Sequence, residues 1–179
     1  MKQILETQRL ILREWQPGEE ALLATFLGDD RVMHAYEGGF NEAEIAKWLR
    51  RNLASYAEHG FGLWGIQRKS DGKLIGECGL TMQEVEGERF PEIGYHLIYD
   101  AWHQGYMTEA AQAVKHYAFE TLGLSEVASI VRDTNLASMN VAIRNGMTAR
   151  KRFVKVYRGV TMPHYLFAVS SAETNQSNQ

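Results

Sequence analysis

The sequence predicts an α/β domain with a mixed, mostly antiparallel central sheet, and three observations lead there. Short segments of period-two alternation recur along the chain, segments of helical period separate them, and turn dipeptides sit at Asp71-Gly72 and Arg158-Gly159. Together they give the order β-α-α-β-β-β-α-β-α-β-β, a sheet of about seven strands with helices on both faces.

Thr7 to Trp15 alternates apolar Leu10 and Leu12 with Arg9 and Arg13, as a first strand should. Pro17 opens a helix that runs through Leu27, with Glu19 and Glu20 in the first turn where they favour the helix dipole. Asn41 followed by Glu44 is a capping-box pattern. The helix it starts carries Ile45, Trp48, Leu49, Leu53 and Tyr56 on one stripe and stops near Gly60. Phe61 to Lys69 and Lys73 to Leu80 form a hairpin, Thr81 to Phe90 reads as a flexible loop, and Glu92 to Tyr99 is a further strand. Tyr106 to Leu122 is a helix that turns Ala110, Ala113, Val114 and Tyr117 to the sheet, with Gly123 at its end. A strand at Glu126 to Val131 and a short helix at Leu136 to Arg144 follow, the helix stopped by Gly146. Two last strands, Arg152 to Tyr157 and Val160 to Val169, close the domain; Pro163 lacks an N–H, so the second is irregular or at an edge there. Residues 1–169 make a single domain, and the polar tail 170–179 reads as loose.

A length of 179 residues suits one domain with a real core, and 45% hydrophobic against 23% charged residues is the balance of a soluble globular protein. The net charge of -3 gives no general pull toward nucleic acid or an anionic membrane surface. No apolar run is long enough to cross a bilayer, and the start lacks the apolar stretch of a secretion signal. Cys78 is the only cysteine, so no internal disulfide forms, and the histidines His34, His59, His103, His116 and His164 lack metal-ligand spacing. The expectation is a cytoplasmic protein without a metal.

The most informative stretch runs from Tyr95 to Ala110, where a strand passes through a short turn and Gly105 stands directly before a helix. First-turn amides of a helix have no internal partners and sit at the positive end of the dipole, so they can receive a phosphate without a lysine. Gly105 admits close approach to the backbone, and Thr108 offers a hydroxyl to the same anion. A plain turn glycine and a helix-capping threonine would look the same. Neither a P-loop nor a G-x-G-x-x-G motif is present.

Several motifs in fixed order narrow the reading. They are T-x-R-L-x-L-R from Thr7 to Arg13, E-I-G-Y from Glu92 to Tyr95, Q-G-Y-M-T-E-A from Gln104 to Ala110, N-x-x-S-x-x-V through Asn135, Ser138 and Val141, and Gly146-Met147. In this set the chain resembles the GNAT superfamily of N-acetyltransferases over nearly its whole length, and more narrowly the branch of ribosomal-protein-alanine N-acetyltransferases. The resemblance implies that Gln104, Gly105, Tyr106, Met107 and Thr108 cradle the pyrophosphate of acetyl-CoA. It implies that Leu97, Ile98 and Tyr99 pair with the pantetheine amides like an added strand, and that Asn135 contacts the arm near the sulfur. It also implies an amine acceptor, either a protein N-terminus or a small molecule, attacked directly in a ternary complex; a homodimer is compatible with this.

For the proton steps, Glu92 lies where the family often places a carboxylate that accepts the amine's proton, and His96, on the same strand face, is the rival base. Many family members carry a tyrosine where this chain has Ala142; the N-x-x-S branch offers a serine instead, here Ser138, to hydrogen-bond the departing thiolate. Met107 and Trp102 also depart from the family pattern, and bulk at Met107 could shift the phosphate loop. Cys78, between Gly76 and Gly79, reads as a buried and inert strand residue. Glu84, Glu86, Glu88 and Glu92 lie near the expected mouth and favour a cationic acceptor. The alternatives are a non-catalytic acyl-CoA-binding or sensing module and, less compatible with the charge, a nucleotide- or RNA-binding domain.

Overall fold

The computed structural model describes residues 2–176, with side chains up to residue 174. Eight strands, against the seven or so predicted, form one sheet in the order β1-β2-β3-β4-β5-β6-β8-β7. The extra strand lies at the start. The segment expected to be one strand is β2 (Leu10–Arg13), and it is preceded by β1 (Gln3–Glu6), which folds back on it around Thr7. Pro17 and Gly18 form a turn rather than a first helical residue, and α1 begins at Glu20 (Glu20–Leu27). Helix α2 (Glu42–His59) has the predicted capping box: the Asn41 side chain accepts from Glu44 N–H at 3.0 Å, and Glu44 accepts from Asn41 N–H at 2.9 Å.

The largest revision is the loop expected over Thr81 to Phe90. Strands β3 (Leu63–Arg68), β4 (Leu74–Val85) and β5 (Glu88–Leu97) pair antiparallel, β3 with a register shift at Ile66–Gln67 and β5 without a break, and β4 turns into β5 at Glu86 and Gly87. Both turn residues have positive φ, the conformation of a two-residue hairpin loop. A polar surface composition concealed a long paired ribbon.

Helix α3 (Tyr106–Glu120) crosses to β6 (Glu126–Arg132), which runs parallel to β5; α4 (Leu136–Arg144) then leads into β7 (Thr148–Tyr157) and β8 (Val160–Ser170). Strand β8 is interior, but Pro163 lies one residue beyond its last rung with β6, Arg132 opposite His164, so its missing N–H costs no hydrogen bond on that side. Ser171–Gln176 forms a short helix, α5, where a loose tail was expected; Ser170 and Glu173 cap it reciprocally. The remainder of that tail, 177–179, lies outside the described residues.

Two apolar clusters sandwich the sheet. One joins α3 to β2–β6 through Leu10, Leu12, Trp64, Ile93, Ala110, Ala111 and Val114; the other joins α1 and α2 through Trp15, Leu23, Phe26, Leu27 and Leu49. Cys78 is fully buried in the first, as expected of an inert strand cysteine. The feature that positions the site is a split in the sheet. Strands β5 and β6 share a single rung, Glu92 opposite Ala128, and then diverge.

Candidate active site

Strand alternation decides what the open edge of β5 presents. Ile98 N–H donates to Ile75 O at 2.8 Å, so the even-numbered residues of β5 direct their backbone groups at β4, and Ile93, Tyr95 and Leu97 direct theirs at the split. Ile93 O is taken by Ser129 Oγ at 2.9 Å and Leu97 O by Trp102 Nε1 at 2.9 Å. The free groups on this edge therefore belong mainly to Tyr95. Ile98 has both backbone groups engaged within the chain, by Ile75 and Ala101, and Tyr99 stands in an exposed 3-10 turn (Tyr99–Ala101). Of the three residues expected beside the pantetheine arm, only Leu97 lines the cavity.

That cavity measures about 1010 Å³ and runs through the split, bordered by Gly105, Tyr106, Met107, Thr108, Asn135 and Ser138 on the α3–α4 side. On the other side its walls are aromatic: Tyr36, Phe40, Trp48, His96 and Tyr157. The loop 37–40 borders this end, and Arg158 holds the β7–β8 turn over it through Glu44 (2.5 Å) and Tyr36 O. The side chains of β5 divide accordingly. Glu92 and His96 face the aromatic end, while Tyr95 faces α4.

At the mouth of α3, Gly105 has φ +78 and N-caps the helix without a side-chain bond, and the first intrahelical bond runs from Glu109 N–H to Gly105 O. The amides of Tyr106, Met107 and Thr108 have no partner among the described residues. Met107 does not crowd this loop, because its side chain is buried in the core below it. Gln104 is exposed; its side chain donates to Asp100 O at 2.9 Å and its carbonyl accepts from Arg9 Nη1 at 2.9 Å.

Arg9 carries a function that sequence reasoning missed. Glu109 accepts from Thr7 Oγ1 (2.6 Å), Arg9 N–H (2.8 Å) and Arg9 Nε (2.6 Å), and the Arg9 guanidinium stacks on Tyr106 at 4.4 Å. This cluster ties the T-x-R motif to the glutamate of Q-G-Y-M-T-E-A. Both halves were visible in the sequence; their contact was not. Burial pushes the Glu109 carboxyl up, but the bonds from Thr7 and Arg9 outweigh it and hold the group below the usual carboxylate range.

Asn135 caps α4, its Oδ1 accepting from Ser138 N–H at 3.1 Å, which leaves the amide NH₂ toward the cavity. The Tyr95 hydroxyl donates to Ser138 O at 2.9 Å and lies beside Ser129 and Ser138, so a phenol from β5 stands close to α4, the helix that lacks a tyrosine at Ala142. Burial raises this phenol's pKa. Glu92 accepts from Ile130 N–H (3.2 Å) and Thr81 Oγ1 (3.1 Å), bridging the two strands where they part. Burial pushes its carboxyl up, against the opposing pull of Lys155 and these hydrogen bonds. Glu84, Glu86 and Glu88 do not line the cavity, and Glu86 pairs with Lys151, so the acidic mouth expected from sequence reduces to Glu92.

A sheet split between two parallel strands, with unpaired helix amides on one side, thus accompanies the order of motifs in the sequence. The family pattern described as "Acetyltransferase (GNAT) domain" matches residues 9–148. The chain belongs to the GNAT acetyltransferase family. Two relatives from Bacillus subtilis (strain 168) are each 32% identical to it: YkkB over 84% of this chain and 88% of its own, and the N-acetyltransferase YoaA over 80% and 81%. The fold also matches that of RimL, a ribosomal L7/L12 alpha-N-protein acetyltransferase solved with coenzyme A, at a TM-score of 0.76 and 18% identity over 94% of this chain and 98% of that one. The protein is an acetyltransferase, and acetyl-CoA is the donor that the GNAT fold uses. Among the described residues no helix is long and apolar enough to cross a membrane.

Proposed function

We propose that the protein transfers the acetyl group of acetyl-CoA directly to a primary amine, the two substrates entering the split sheet from opposite sides. The continuity of the cavity through the split carries this reading. From the α3 side, the pyrophosphate sits on the amides of Gly105 to Thr108, where the dipole and the missing intrahelical bonds favour an anion. Arg9 stands beside this loop, its Nη2 3.4 Å from where a Gly105 Cβ would be. The pantetheine arm completes the open edge of β5, hydrogen-bonding Tyr95 and the Leu97 N–H in place of a sixth-strand neighbour. Asn135 donates its free amide protons to the arm near the sulfur.

The thioester carbonyl then lies at the split, where the Tyr95 N–H is the donor available to its developing oxyanion. The amine arrives from the aromatic end. Much of the rate comes from fixing both partners in attack geometry. As the tetrahedral intermediate collapses, the C–S bond breaks and the thiolate is hydrogen-bonded on the α4 side, by Ser138 and by the Tyr95 phenol. The amine is that of a protein N-terminus or of a small molecule; the aromatic end suits a single side chain or a compact amine body.

A thiol-release assay with acetyl-CoA against N-terminal peptides and small amines tests this. Amine-dependent release with a matching N-acetylated product supports direct transfer. Coenzyme A binding without turnover of any amine would instead favour an acyl-CoA-sensing module.

A further inference from the structure

Glu77 lies in β4 and is fully buried, with no role in the chemistry described so far. Its Oε2 accepts from Trp15 Nε1 at 3.2 Å, and its Oε1 accepts from Trp48 Nε1 at 2.9 Å and contacts His96 Nδ1 at 3.1 Å. A carboxylate with no solvent is expensive unless its lone pairs are well used. Here three ring nitrogens converge on it, from Trp15 between β2 and α1, Trp48 in α2 and His96 in β5.

Donor and acceptor accounting fixes the histidine. Indole nitrogens only donate, so both Glu77 oxygens already act as acceptors. A carboxylate that already accepts from two indole N–H groups meets His96 as an acceptor too, so the imidazole is the donor across this contact. Nδ1 is then the N–H, and neutral His96 carries its lone pair on Nε2. That atom has no partner among the described residues and is not enclosed; His96 lines the cavity, framed by Phe26, Tyr36 and Trp48.

We infer that Glu77 is a positioning residue that holds His96 with Nε2 open to the aromatic pocket, and that His96 Nε2 takes the proton from the acceptor amine. This rests on the acetyl-transfer reading above and deepens it. Glu92, on the same face, holds the incoming ammonium by charge. The ammonium gives one proton to Nε2, and the freed amine lone pair attacks the thioester carbon. The C–N bond forms, the C–S bond breaks with its electron pair on sulfur, and the second nitrogen proton passes to the thiolate. The imidazolium, balanced by Glu77, releases its proton to solvent, so acetyl-CoA and R–NH₃⁺ become the amide, coenzyme A and H⁺. The charged and titratable groups around His96 are Glu77 on β4, Glu92 on β5, Tyr36 beside α2 with Arg51 near it, and Lys155 and Tyr157 on β7.

The test uses the full chain. Nitrogen NMR of the wild-type protein should show neutral His96 protonated on Nδ1; an Nε2–H tautomer overturns the proposal. His96→Ala should lower kcat/KM by about 10²-fold with coenzyme A affinity unchanged, the scale of one general base. Added imidazole should restore at least part of that loss, and Glu77→Gln should lower kcat, leave KM for acetyl-CoA alone and change the pH profile. Glu92→Gln should instead act mainly on KM for the amine. Wild-type turnover together with a fully active His96→Ala variant refutes this inference alone. No turnover of any amine by the wild type removes both it and the reaction it rests on.

Discussion

Replacing Glu109 by alanine is the sharpest probe of how the first strands hold the phosphate loop. The variant leaves the Thr7 hydroxyl, the Arg9 N–H and the Arg9 guanidinium without their common acceptor. The Arg9–Glu109 ion pair is partly exposed, 41% on the arginine side, so screening limits that pair to about 0.5 kcal/mol. The two bonds from Thr7 and the Arg9 N–H go to a charged acceptor, but both residues are only half-buried, which holds each bond at about 1–1.5 kcal/mol, the bottom of the range for such bonds. The total is about 3 kcal/mol, and at 2–4 °C per kcal/mol for a chain of this size the melting temperature should fall by about 6–12 °C. The pH dependence has a definite sign. The Glu109 pKa is depressed in the folded state, so its stabilisation is present above the unfolded value near 4.3 and is lost as pH falls through the folded value. The deficit of Glu109→Ala should therefore shrink in acid. Thermal melts at neutral and acidic pH, with coenzyme A titrations on the same samples, measure this. A variant that melts within about 2 °C of wild type at pH 7 would show that the cluster is not what fastens β2 to α3.

Other outcomes follow from the same geometry. Gly105→Val forces a β-branched residue to φ +78, a strain of about 1–3 kcal/mol, and coenzyme A affinity by calorimetry should fall roughly ten- to hundredfold. Burial raises the Glu92 carboxyl, so its contribution favours the fold below the unfolded pKa and is lost as pH rises through the folded one; melts of Glu92→Gln should improve relative to wild type as pH rises above the unfolded value near 4.3. Tyr95→Phe removes the hydroxyl beside Ser138 while keeping the ring and the backbone, so single-turnover thiol release should slow with coenzyme A affinity retained.

Much of this was legible in the sequence because local signals and tertiary structure agree. Asn41 and Glu44 specify their capping box within four residues, and α4 begins and ends where Asn135 and Gly146 indicate. Gly105 does stand directly before α3, whose first-turn amides have no partner among the described residues. What the sequence hid is what depends on long-range pairing. The ribbon from Thr81 to Phe90 is polar on its surface, and only its partner strand shows that it is not a loop. The backbone phase of β5, which favours Tyr95 over Ile98 at the open edge, depends on the register with β4. Glu77 was visible as a lone acid among glycine and apolar residues in Ile75 to Leu80, yet its partners lie 62, 29 and 19 residues away. A single chain carries no local trace of such contacts.

The proposed reaction requires coenzyme A to thread the split between β5 and β6. A crystal structure with coenzyme A bound measures it directly. The pyrophosphate should lie within hydrogen-bonding distance of the amides of residues 105–108, with the pantetheine amides paired with Tyr95. Coenzyme A bound elsewhere, with the split left closed and its edge unpaired, would contradict it.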